Sequence, residues 1–194
     1  MMPARKGTLN FKIIAGSLRG RKISVPDVGV TRPPLSRLRK SIFDFLMPYM
    51  GGASYLDLFS GTGSYLFEAV SRGAASALGV EAEPLLAAHI NAQAENLGVS
   101  DRLNCLSADV FDVVPQMGNS GRTFDIIMIA PPQYKGYIDR TLAEIQRAGI
   151  TRPGGLIICQ HDTSERKLLS LSDFEVVQER KYGNTTFTVL APMK

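Results

Sequence analysis

A chain of 194 residues with 44% hydrophobic and 21% charged side chains is long enough for one domain with a substantial buried core. No apolar run approaches the roughly 20 residues that a membrane-spanning helix needs, which excludes a helical membrane protein. The net charge of +4 hides an asymmetry: residues 1–40 carry ten Lys and Arg against one acid, Asp27, so a basic arm stands on a mildly acidic body, as for a polyanionic partner whose condensed counterions are released on contact.

Residues 1–10 read as a loose tail, and MMPARKGTLNFKI has no continuous apolar stretch behind its basic residues, so it does not read as a signal peptide. FKIIAG (11–16) and RKISV (21–25) predict two short strands joined by the Gly-containing loop SLRG. Pro33 and Pro34 bar a helix from the VTRPPLS turn. A helix is expected from Ser36, as its N-cap, to Met50, with Leu38, Ile42, Phe45, Leu46 and Tyr49 on its apolar stripe. Arg37 and Lys40 fall away from that stripe and Arg39 lies near its flank.

From Ala53 strands and helices alternate. ASYLDLF, SALGVE, RLNCLSAD, FDIIMIA and GGLIICQH read as strands, with helices over SYLFEAVSRG, roughly 83–97 and 137–148. FEVVQERKYGNTTFTVLA predicts two strands around a YGN turn. The pattern is α/β: a mainly parallel, Rossmann-like sheet with helices on both faces and a C-terminal antiparallel hairpin. Residues 1–50 form a small basic extension of hairpin and helix, expected to bind nucleic acid, and 51–194 the main domain. Cys105 and Cys159 have no CxxC or metal-ligand spacing and are expected as reduced core thiols in a cytoplasmic protein, with no metal.

The most informative stretch is YLDLFSGTGSYLFEA (55–69). A strand ends at Asp57, and a turn with Gly61 and Gly63 opens a helix whose free N–H groups suit a ligand's polar end. A dinucleotide fingerprint would place a third glycine where Leu66 stands, which speaks against a nicotinamide or flavin dinucleotide. Asp57, Phe59, Gly61 and Gly63 instead resemble motif I of the class I S-adenosylmethionine-dependent methyltransferases. That resemblance implies S-adenosyl-L-methionine as cofactor, with the turn at its methionine part and Asp57 near the amino-acid end. Glu81, past the second strand, suits two ribose hydroxyls because a carboxylate accepts two hydrogen bonds. Asp109, flanked by Ala108 and Val110, matches the position that meets the adenine amine; a plain helix cap is the alternative for Asp109.

IMIAPPQY (127–134) resembles motif IV of amino-group methyltransferases, D/N-P-P-Y/F/W, and makes Ala130, Pro131, Pro132, Gln133 and Tyr134 the catalytic candidates. An exocyclic amine is a poor nucleophile because its lone pair is delocalised. In the motif, an Asp or Asn side chain and the first proline's carbonyl accept its hydrogen bonds, and the aromatic residue stacks on the flipped base. Here Ala130 cannot accept, Gln133 replaces the aromatic, and Tyr134 stands one position late. A slow enzyme, a variant without activity and a binding protein on the same fold all remain open.

IIAGSLRGRKISVP followed by TRPPLSRLRKSIFDFL resembles the opening of the bacterial ribosomal RNA small-subunit methyltransferase D family, through Ile14, Gly16, Arg19, Gly20, Arg21, Thr31, Arg32, Pro33, Arg37, Arg39 and Phe43. Pro34, Ser36 and Lys40 depart from its pattern, and the closing YGNTTFTVL also resembles it. The resemblance spans nearly the whole chain and implies methylation of the exocyclic N2 amine of a guanine in small-subunit (16S) ribosomal RNA, with that RNA or a small-subunit assembly particle as partner; a monomer is expected. It also implies that Arg19, Arg21, Arg32, Arg37 and Arg39 bind RNA, by the fork geometry that arginine offers to phosphates. The alternative for any one arginine is a pair with an acid of the main domain. An RNA-binding or assembly protein without turnover is the alternative for the whole. His89 is expected to be structural, and His161 to border the pocket without a catalytic role.

Overall fold

The computed structural model describes residues 7–29 and 34–193. Strands β1 (Thr8–Lys12) and β2 (Lys22–Pro26) form an antiparallel hairpin, followed by helix α1 (Ser36–Met50). The main sheet takes β3 (Ser54–Asp57), β4 (Ser76–Glu81), β5 (Leu103–Ser107), β6 (Phe124–Ile129), β7 (Thr151–Asp162), β8 (Phe174–Tyr182) and β9 (Thr185–Pro192). Helices α2 (Ser64–Ser71), α3 (Pro84–Asn96), α4 (Val110–Asn119) and α5 (Tyr137–Ala148) connect the first five of these strands, and a 3-10 helix over Thr163–Leu168 follows β7.

Strand order is β5-β4-β3-β6-β7-β9-β8. All neighbours are parallel except that β9 runs antiparallel to both β7 and β8. Successive side chains point to opposite faces, so Ile126 and Met128 of β6 join one core cluster while Ile127 and Ile129 join the other. Apolar residues on both faces mean helices on both faces, as the near-continuous apolar strands predict. After β3 the chain moves to β4 on one side, and β6 pairs on the other. The carboxyl ends of β3 and β6 therefore flank the point where the winding reverses, where such sheets open a crevice.

The hairpin is not a loose appendage. Phe11, Ile13, Leu18, Ile23 and Val25 share a core with α1, α2 and α3. The Ile14 and Ala15 N–H groups donate to the two oxygens of Glu68 at 3.0 and 3.1 Å. Gly16, at φ 84°, is pressed so close to α2 that a Cβ there would lie 1.8 Å from the Ser71 carbonyl oxygen; only glycine fits. The His89 ring contacts the Ser24 carbonyl oxygen, so His89 ties α3 to β2. These contacts explain why the first strand spans 8–12 rather than the predicted 11–16: the backbone after Lys12 turns away to meet Glu68.

One further expectation is corrected, and two helices appear that the sequence reading does not include. Ser36 is not a capping residue; Leu35 precedes the helix and no side chain caps it. Helix α4 was not predicted, because Pro115 and Gly118 interrupt its sequence signal, although its apolar stripe Val110, Val113, Val114 and Met117 is buried. The 3-10 helix after β7 also went unpredicted, although Asp162 and Glu165 form a reciprocal capping box there.

Candidate active site

A cavity of about 700 Å³ opens at the carboxyl ends of β3, β4, β5 and β6. Phe59 and Gly61 wall it after β3, Glu81 after β4, Ala108, Asp109 and Val110 after β5, and Ala130, Pro131, Pro132 and Gln133 after β6. Four separate segments singled out in the sequence thus meet around one space. Gly29 and Pro34 of the extension also line it.

The turn after β3 shows why its residues are what they are. Gly61 and Gly63 adopt φ 51° and 76°, a region that favours glycine. A Cβ on Gly63 would lie 2.8 Å from Ile90 Cγ1. Asp57 is fully buried and does not itself line the cavity. Its Oδ1 accepts the Phe59 N–H at 3.3 Å, while its Oδ2 is buried without a partner. Burial drives its pKa up to about 7, against the Phe59 N–H and with some help from the charge of Glu81. A buried carboxyl oxygen without a donor, beside a glycine turn, is suited to a cationic ligand group.

Glu81 braces the same turn: its two oxygens accept the Gly61 N–H at 2.7 Å and the Glu83 N–H at 2.9 Å. Each oxygen keeps a second acceptor position. Asp109 does two things at once. It caps α4, accepting the Phe111 N–H at 2.7 Å, and it lines the cavity.

Several wall residues were missed in the sequence. The Tyr137 ring stacks on Phe59 at 6.2 Å between centroids and lies 5.9 Å from Phe111, so three aromatic residues surround the end near Asp109. Tyr65 and Gln160 form the opposite wall, with the Tyr65 hydroxyl donating to Gln160 Oε1. Aromatic residues at the starts of α4 and α5 would have been the signal for the first group; nothing local marks Gln160.

A second cavity of about 190 Å³ adjoins the first, sharing Pro131, Pro132, Gln133, Tyr137 and Gln160 with it. Tyr134 lines this second cavity, not the first, and is 64% exposed at φ 59°. It therefore does not substitute for the motif's aromatic residue within the large cavity. Its N–H donates to Glu165 Oε1 at 2.7 Å.

The arginines separate by exposure. Arg19, Arg21 and Arg37 are exposed and form no ion pair among the described residues. Arg32 lies outside the described residues. Arg39 is a correction: it is 1% exposed, faces Glu68 at 3.6 Å and donates to the Lys12 carbonyl at 2.5 Å. It cannot reach an RNA phosphate without leaving the core. Its partner Glu68 also holds Arg72 at 2.8 Å, and removing one member of such a buried group leaves an uncompensated charge. Lys40 is engaged by Asp44.

His161 is buried within β7, bonded to the Asp162 carbonyl at 2.8 Å and to Thr188 Oγ1 at 3.0 Å, and does not line the cavity. Both cysteines are free and buried; burial raises Cys105 to about 12 and pushes Cys159 higher still. No cluster of metal-ligating side chains occurs among the described residues, and no helix there is long and apolar enough to cross a membrane.

Comparison with known proteins agrees with this geometry. The model of the family described as conserved hypothetical protein 95 matches residues 11–191. The ribosomal RNA small subunit methyltransferase D of Haemophilus influenzae is 26% identical over 186 residues, covering 95% of this chain and 94% of the relative. Among solved structures, the yhhF protein of Escherichia coli superposes with a TM-score of 0.85 at 24% identity, covering 94% of this chain and 98% of that one. An RNA methyltransferase from Salinibacter ruber, in complex with S-adenosyl-L-homocysteine, shares the fold at a TM-score of 0.63 and 15% identity, over 84% and 95% of the two chains. With residues 11–191 matched by the family model and its fold that of these methyltransferases, the chain belongs to the conserved hypothetical protein 95 family, the ribosomal RNA small-subunit methyltransferase D family that its N-terminal sequence resembles.

Proposed function

We propose that this chain binds S-adenosyl-L-methionine and methylates ribosomal RNA, at the exocyclic N2 amine of a guanine in the small subunit. The observation that carries the reading is the single cavity joining the glycine turn, Glu81, Asp109 and the Ala130–Gln133 loop. The name of the Haemophilus influenzae relative supports the substrate class.

The residues present fit the cofactor. Asp57 Oδ2, buried and without a donor, lies behind the cavity wall and would act on the amino-acid ammonium through water. Glu81 has acceptor positions left for two ribose hydroxyls, and Phe59, Phe111 and Tyr137 form an apolar seat for the adenine beside Asp109. The cofactor supplies a methyl group activated by a positively charged sulfur. The chain's task is then to hold the guanine amine in line with that methyl, and positioning alone removes a large part of such a barrier.

For the amine, Pro131 and Gln160 stand where the two cavities join. The Pro131 carbonyl and the side-chain oxygens of Gln133 and Gln160 are acceptors there, and Tyr65 orients Gln160. Ala130 adds none. A second reading follows from that one residue: an RNA-binding protein of the same fold that does not turn over.

A radiolabelled methyl-transfer assay on unmethylated small subunits, with the native chain and with Ala130→Asn, separates the two. Label from both establishes the enzyme, and label from Ala130→Asn alone establishes the second reading. Label from neither removes the substrate assignment.

A further inference from the structure

The smaller cavity has a chemistry of its own. At about 190 Å³ it is below the range of roughly 300–1,000 Å³ that suits a drug-sized ligand, and on the scale of one ring system. Pro132 and the exposed Tyr134 supply flat surfaces, Leu168 and Leu169 an apolar side, and two acids line it: Asp139, which accepts the Ser170 N–H at 3.0 Å, and the more deeply buried Glu165. Glu165 is only 9% exposed, so its charge sits where most acids do not. It is also held still: Oε1 accepts the Tyr134 N–H at 2.7 Å and Oε2 the Asp162 N–H at 3.2 Å. One acceptor position remains on each oxygen. The same contact holds Tyr134 in a left-handed conformation that non-glycine residues rarely adopt. Backbone strain of this kind persists only where the surroundings enforce it.

A rigid, buried carboxylate with two free acceptor positions selects a ligand with two adjacent donors. Among the four RNA bases only guanine presents such an edge, N1–H beside N2–H₂. Adenine offers an acceptor next to its amine, cytosine likewise, and uracil a single N–H between two carbonyls. We propose that the smaller cavity receives the flipped guanine and that Glu165 is the specificity-determining residue, accepting from N1–H and from one N2 hydrogen while Tyr134 stacks on the ring. The inference rests on the guanine methylation proposed above and names the group that reads the base. It leaves the second N2 hydrogen for Pro131 or Gln160 at the junction with the larger cavity.

The alternative role for Glu165 is structural, as acceptor of the Asp162 and Tyr134 N–H groups; glutamine has one side-chain oxygen and keeps only one of these two bonds. The test therefore reads base preference. Two short single-stranded RNAs differ only at a central base, guanine or 2-aminopurine, which keeps the amine but offers an acceptor at N1. Their phosphate contacts are identical, so the salt-dependent contribution to binding cancels. With S-adenosyl-L-homocysteine present, the native chain is expected to prefer guanine by about ten- to a hundredfold, the scale of one bidentate base contact. Glu165→Gln, whose amide can donate to N1, is expected to erase or invert that preference while affinity for the homocysteine compound is retained. Equal affinities in the native chain, or a preference unchanged in Glu165→Gln, overturn the proposal.

A second readout does not require that variant to fold. The fluorescence of 2-aminopurine should be quenched by stacking on binding to the native chain, and less so with Tyr134→Leu. No quenching by the native chain also overturns it. A guanine preference without methyl transfer would leave this pocket standing and remove the enzyme; methyl transfer without the preference would do the reverse.

Discussion

The two ends of the large cavity are built to different standards. At the end formed by β3, β4 and β5, backbone and side chains fasten one another: Glu81 holds the Gly61 N–H, Asp109 caps α4, and Gly63 packs on Ile90. At the end formed after β6, Ala130 offers no polar group, Gln133 is exposed, and Tyr134 faces another cavity. One end is over-determined and the other depends on few contacts. The same chain can therefore keep its cofactor site intact while its chemical step is weak, and the two properties should respond to separate mutations.

The largest expected effect is at the fastened end. Glu81→Ala removes the acceptor of two backbone N–H groups as well as the proposed seat for the ribose, and hydrogen bonds to a charged group are worth about 1.5–3 kcal/mol each. Cofactor affinity should fall on the order of a hundredfold or more, read by calorimetry, with RNA affinity unchanged. Comparable losses of both would break the separation.

Ala130→Asn sharpens the other end. It restores one acceptor for the amine, and a hydrogen bond of about 1–2 kcal/mol raises the single-turnover methylation rate by roughly five- to thirtyfold. Cofactor affinity should stay constant. A gain in affinity without a gain in rate would mean that the loop serves binding and not chemistry.

A smaller effect follows from Asp57. Its pKa lies near 7 in the free protein, raised above the ordinary carboxyl value, so its contribution to stability is present at low pH and is lost as pH rises through about 7. Pairing with the cofactor's ammonium needs the ionised form. Affinity should therefore rise with pH, by up to about tenfold per unit below 7, and level off above it. Calorimetry in buffers of different ionisation heat should show proton release on binding at pH 6. Asp57→Asn should flatten the profile.

The smallest effect lies outside both ends. Arg19→Ala or Arg37→Ala should lower RNA affinity a few-fold and reduce the salt slope by about 1, leaving cofactor binding untouched.

Much of this was legible in the sequence because it depends on local pattern. Glycines forced by φ, acids at strand ends and apolar strands alternating with helices gave the α/β fold and most of the large cavity's wall. What was not legible depends on contacts distant along the chain. Arg39 lies near the flank of the apolar stripe, but only Glu68, on another helix, shows that it belongs to the core and not to an RNA-binding surface. Gln160 acquires meaning only through Tyr65, and Glu165 only through Tyr134. Helix α4 was hidden by Pro115 and Gly118, whose local cost the buried stripe offsets.

The most direct test of the account is a titration of the purified chain with S-adenosyl-L-homocysteine, followed by calorimetry near pH 8. Saturable binding at one site, strongly weakened in Glu81→Ala, is the predicted result. No heat with folded native protein, or equal binding by Glu81→Ala, would contradict it.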